Sequence, residues 1–127
     1  METKTSRSQQ LELRMLDFSI SVITATKTVP KTTENFIIAK QLIGSATAIG
    51  ANYTEANNAA SKLDFRNKIF VAKKEAAETR YWLQLLVRAN PAINLSYLNR
   101  RRNRTSFDTA KNCHHPEKWQ MINQCQM

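Results

Sequence analysis

Cysteine and histidine, the side chains that most often do chemistry in proteins, occur only near one end of this chain, as Cys113, His114, His115 and Cys125. Such a set would offer zinc binding. The spacing matches no standard ligand pattern, because adjacent histidines do not readily converge on one tetrahedral ion. Serine chemistry also lacks its parts: Ser45 and Ser61 have no histidine in the first 98 residues to act as base. Gly44 and Gly50, the only two glycines, fit no phosphate-cradling motif. The residues therefore read as those of a non-enzyme, with no cofactor and no metal. Charge is what remains. Lys62, Arg66, Lys68, Lys73 and Lys74 cluster in one short stretch, and Lys62, Arg66 and Lys73 are spaced 4 and 7 apart, near one helix face. These are candidate phosphate contacts to RNA or DNA, with Arg7 and Arg14 as extensions. The same pattern also describes a solvated helix face, since no aromatic residue interleaves the lysines as in base-stacking readers.

The chain that must position these cations has 127 residues, enough for one domain. With 2 glycines and 3 prolines it is poor in the turns that an all-β sandwich or barrel needs. No apolar run reaches membrane-spanning length, and Met1 to Gln10 lacks the apolar core of a signal peptide, so no membrane association and a cytoplasmic location are expected. Disulfide bonding is not expected in that compartment. The net charge is +9, and it is unevenly spread. Residues 1–98 hold 13 Lys+Arg against 8 Asp+Glu; residues 99–127 hold 6 against 2, together with every Cys and His. That shift in composition sets a boundary after Leu98, between a folded domain (1–98) and an irregular basic tail (99–127).

Within the domain, periodicity predicts three helices. Leu11, Met15, Phe18, Val22, Ala25 and Val29 step by threes and fours, the spacing of one helix face, and Leu16, Ile20 and Ile23 widen it. The expected helix runs from about 9 to 29, where Pro30 stops it. A second, about 33–59, starts at Thr32 or Thr33 as N-cap and carries Ala39, Leu42, Ala46, Ile49, Tyr53, Ala56 and Ala60. Its small residues around Gly44 and Gly50 suggest close helix packing, at a cost of about 1 kcal/mol per glycine relative to alanine. A third, about 62–89, follows Ser61 with Asp64 in a variant capping box and carries Phe65, Ile69, Ala72, Ala76, Thr79, Leu83 and Leu86. Short connections make neighbours antiparallel. The expected fold is all-α: an up-down helical bundle with three long helices and the fourth absent or disrupted by the atypical tail.

The stretch from Lys40 to Leu86 carries a resemblance. Ile43-Gly-Ser-Ala-Thr-Ala-Ile-Gly-Ala-Asn-Tyr-Thr-Glu-Ala, then Ser61-Lys-Leu-Asp-Phe, then Ala72-Lys-Lys-Glu-Ala-Ala-Glu-Thr-Arg-Tyr-Trp-Leu occur in order and at the expected separation. They resemble the bacterial four-helix bundle proteins named for intervening sequences in 23S ribosomal RNA genes, related to the accessory variability proteins of diversity-generating retroelements. The resemblance covers roughly residues 11–98. It implies a homo-oligomer, a ring-like pentamer, that is non-catalytic and binds nucleic acid and a protein partner through basic surfaces. The polar positions of the shared motif fall on Asn52, Glu55, Lys73, Glu75 and Glu78. Asn52 and Glu55, like Glu75 and Glu78, lie three apart and share a face. Paired carboxylates of this kind serve di-iron bundles, but those also need Glu-x-x-His pairs, and residues 1–98 contain no histidine. A structural role in fixing helix register is expected instead, with Lys73 or Arg80 as partners.

The tail departs from the family pattern, which calls for an acidic-starting, leucine-rich fourth helix. Asn99-Arg-Arg-Arg-Asn-Arg stands there instead. Residues 99–120, read one nucleotide later with permitted codons, can spell an acidic start followed by an apolar helix, and the codons of Met121 and Ile122 then force a stop. The expectation is a one-nucleotide deletion near codon 99. Without a fourth helix, Leu16, Ile20, Ile43 and Leu85 are expected to form an exposed apolar patch facing the gap. The leading functional expectation is an oligomerising bundle that binds nucleic acid through its basic surface. The alternative is a protein-partner adaptor or regulatory module with no nucleic-acid binding.

Overall fold

The computed structural model describes residues 6–92 and Leu98. Three helices follow one another: α1 (Arg7–Thr26), α2 (Thr33–Asn57) and α3 (Lys62–Ala89), with no strand among the described residues. Each start is fixed by its cap. The Ser6 hydroxyl accepts from the Gln9 N–H at 3.2 Å while the Gln9 side chain accepts from the Ser6 N–H at 2.9 Å, a complete capping box. Thr32 accepts from Asn35 N–H at 3.2 Å, and Ser61 from Asp64 N–H at 3.0 Å. The third cap agrees with the expected Ser61 start, and the second selects Thr32 over Thr33.

The ends fall slightly short of the expected ones. The first helix stops at Thr26 rather than Val29, because Pro30 has no N–H for the Thr26 carbonyl and its ring would clash with that carbonyl in a continued helix. The Thr26 and Thr28 hydroxyls donate at 2.7 Å to the carbonyls of Ile23 and Ala25 in the last turn, and the Ala25 carbonyl also accepts the Thr28 N–H at 3.0 Å. Val29 is nonetheless buried. Likewise α2 ends at Asn57, before 59. Asn58 leaves helical geometry and donates its amide to the Thr54 carbonyl at 2.8 Å.

The middle helix is α2. It packs against α1 on one side and α3 on the other, while the backbones of α1 and α3 do not come close. Both pairs are antiparallel. Glu12 of α1 accepts from Asn57 of α2 at 2.8 Å, joining the start of one to the end of the other. Along α2 and α3, Asn35 meets Asn90, Ser45 meets Thr79 and Glu55 meets Lys68, so each advance along α2 matches a retreat along α3. The expected stripes form the core: Leu11, Met15, Phe18 and Val22 from α1, Leu42, Ala46, Ile49 and Tyr53 from α2, and Phe65, Ile69, Leu83 and Leu86 from α3. Burying a side chain such as Phe18 or Leu83 contributes about 1.5–3 kcal/mol each. Leu98 joins this cluster, fully buried.

Two expectations about packing need correction. Only one glycine marks a close approach. A Cβ on Gly50 would lie 3.1 Å from the Met15 Cβ, so α1 and α2 touch there, whereas a Cβ on Gly44 would meet nothing within 4 Å. The exposed apolar side chains, moreover, do not border the core stripe. Leu16 (57% exposed) and Ile20 (53%) join Leu13 and Ile23 in a second stripe on α1. It is stepped by threes and fours and set about half a turn away from Leu11, Met15, Phe18 and Val22. Leu85 also faces outward, and Ile43 is half-buried against the core cluster. The core stripes of all three helices are covered. The apolar surface is on the outside, because α1 is apolar on two opposite faces. The tail 99–127, its arginine run and the Cys/His set lie outside the described residues.

Candidate nucleic-acid interface

Helix α3 carries seven of the chain's basic residues and three acidic ones, and its geometry sorts them. At 3.6 residues per turn, Lys62, Arg66, Lys73 and Arg80, spaced 4, 7 and 7 apart, fall within about 40° of one another beside the core stripe. Asp64, Glu75 and Glu78 lie on the opposite flank by the same periodicity. The helix is therefore basic on one side and acidic on the other. Arg80 was not among the candidate contacts, yet the heptad step from Lys73 was the signal that finds it.

The five expected contacts separate. Lys62, Arg66 and Lys73 share the basic flank, while Lys74 sits on the outward face and Lys68 on the flank toward α2. There the Lys68 ammonium lies 2.6 Å from a Glu55 carboxylate oxygen. That hydrogen bond and the carboxylate's charge hold the Lys68 pKa above its ordinary 10.5. Lys73 and Lys74 are exposed; Arg66 is half-buried, and its Nε is buried without a hydrogen-bond acceptor. A buried donor left unpaired costs about 1–3 kcal/mol. Arg7 and Arg14 are exposed on α1, whose backbone does not approach α3.

The motif's polar residues turn to other partners than Lys73 and Arg80. Asn52 donates to the Ala48 carbonyl of its own helix at 2.8 Å. Glu55 takes Lys68, and Glu78 accepts from the Trp82 indole N–H at 3.1 Å. Glu75 contributes its backbone carbonyl, 2.7 Å from the Thr79 hydroxyl. Lys73 and Arg80 are on the far flank of α3 from both glutamates, which is why they do not meet. The bonds that set register are ones the motif did not indicate. Asn35 and Asn90 exchange two amide bonds, at 2.9 and 2.8 Å, and the buried Ser45 and Thr79 hydroxyls lie 3.0 Å apart. Thr79 was legible as a polar intruder in an apolar stripe. Asn35 and Asn90 become neighbours only once the α2–α3 hairpin is known. No group of three His, Cys, Asp or Glu side chains converges among the described residues, and no described helix is long and apolar enough to cross a membrane.

The profile of the 23S rRNA-intervening sequence protein family matches residues 9–122, a range that continues past Asn99 into the basic segment. Among solved structures, the chain is similar to a protein of unknown function from the S23 ribosomal protein family of Bacteroides thetaiotaomicron. The two are 29% identical over 94% of this chain and 97% of that one, with a TM-score of 0.68. No curated protein matches the chain.

Proposed function

The chain belongs to the 23S rRNA-intervening sequence protein family, and we propose that it acts as a non-catalytic, oligomerising bundle that binds nucleic acid through the basic flank of α3. The observation that carries this reading is the segregation of Lys62, Arg66, Lys73 and Arg80 from every carboxylate on the same helix. Like charges held along one edge repel each other, and a polyphosphate backbone relieves that repulsion by releasing counterions. Assembly, in the pentamer that the resemblance implies, is assigned to the outward stripe of α1. The tie to accessory variability proteins and a cytoplasmic site of action are parts of the same proposal.

A salt-varied gel shift with single-stranded RNA and duplex DNA tests it. Four phosphate contacts predict a slope of log affinity on log salt near −3 for a single strand, at about −0.7 per contact. Lys73→Ala or Arg80→Ala should each lower that slope by about 1, with affinity falling uniformly across sequences. Lys68→Ala, which removes a cation already paired with Glu55, should change it much less. Absence of binding at low salt, or equal losses at Lys68 and Lys73, would remove this reading and leave the adaptor alternative.

A further inference from the structure

We infer that the outer side of the α1–α2 turn is a docking groove for an acidic amphipathic helix of a partner protein. An open groove of about 700 Å³ lies there, and its floor is apolar: Val29, Pro30, Phe36 and Ile43. Phe36 is 71% exposed, unusual for a phenylalanine on an otherwise well-packed helix. Three lysines rim the groove, Lys27, Lys31 and Lys40, and none of the described residues lining it is a carboxylate. None of the three ammonium groups takes an ion pair among the described residues. The Asn35 amide is occupied by the Pro30 carbonyl and Asn90, so the floor offers little polar competition.

Shape and charge together select the occupant. The groove follows α2 from Asn35 to Ile43, about 12 Å or two helical turns, and its volume accepts the ridge of large side chains that an amphipathic helix presents. Carboxylates flanking that ridge would meet the lysine rim. A second copy of this chain brings the same surplus of positive charge, and a nucleic acid brings nothing that needs an apolar floor.

The test uses the full chain and a short fluorescent peptide with leucines at i, i+3, i+4 and i+7 and glutamates on the flanks. A counterpart carries lysines in place of the glutamates. Anisotropy should show binding of the acidic peptide only, weakened at least about tenfold by Phe36→Ser, an anchor-type loss. The Lys27→Glu/Lys40→Glu variant should lose the acidic peptide and gain the basic one. Both sites are on the surface, and a melting curve checks that each variant folds; should Phe36→Ser fail to, the charge swap still decides. Equal binding of the two peptides, no binding of either at low salt, or indifference to the lysine reversals would overturn the inference. So would a fall in the mass of the peptide-free protein on Phe36→Glu, which would seat a second copy in the groove.

Discussion

Gly44 and Gly50 sit in the same helix, six residues apart, yet their surroundings differ in a way that a stability measurement can read. Glycine costs a helix about 1 kcal/mol relative to alanine. At Gly44 an added methyl meets open space, so Gly44→Ala should raise stability by about 0.5–1 kcal/mol in urea melts. At Gly50 the same methyl arrives 3.1 Å from the Met15 Cβ, an atom fixed to the α1 backbone that moves only if the helix moves. Gly50→Ala should therefore gain nothing, or lose stability as α1 is pushed away. Equal gains at the two sites would mean that the α1–α2 contact is looser than described. The sequence displayed both glycines as members of one small-residue run. Which of them a neighbour approaches depends on where α1 crosses, and no residue in α2 alone encodes that.

At the scale of elements, the Asn35–Asn90 pair ties the first turn of α2 to the cap of α3. Asn35 is buried, so Asn90→Ala leaves its amide oxygen without a donor, at a cost of about 1–3 kcal/mol. The double variant Asn35→Ala/Asn90→Ala should cost less than the sum of the single ones, with a coupling of about 0.5–3 kcal/mol by denaturant melts. Strict additivity would show that the two amides act independently. The helices themselves are legible, because periodicity and caps are local: Thr32 and Ser61 mark the starts of α2 and α3 and their hydroxyls do cap, and the core stripes are buried apart from Ala39 and Ala60; the Ser6 cap of α1, whose helix begins two residues before the expected start, is not among those marks. The faces were less so. By spacing, Leu16 and Ile20 broaden the core stripe, whereas in the fold they lie on the other side of the helix; spacing locates residues relative to each other and does not say which of two apolar faces a neighbour will cover. The candidate interface was half legible for the same reason. Lys62, Arg66 and Lys73 were found by their period, but the capture of Lys68 by Glu55 is a contact between helices.

For the whole molecule, the outward stripe of α1 leaves apolar surface that a self-sufficient monomer would cover. Leu13, Leu16, Ile20 and Ile23 form a continuous apolar row on a helix whose other side is already committed to the core. If assembly uses this row, Leu16→Glu/Ile20→Glu should reduce the particle mass in light scattering while leaving the helical circular dichroism unchanged. Retention of the wild-type mass would place assembly elsewhere. The row also has a consequence in time. The first helix leaves the ribosome before α2, the helix that packs against it. Synthesis from Lys27 to Ala89 takes roughly 3–13 s at about 5–20 residues per second. For that interval a nascent chain exposes both apolar rows, and the inner one is withdrawn only when the rest of the shared core arrives. The outer one stays available throughout, so neighbouring chains on one message can meet through it before any of them is finished.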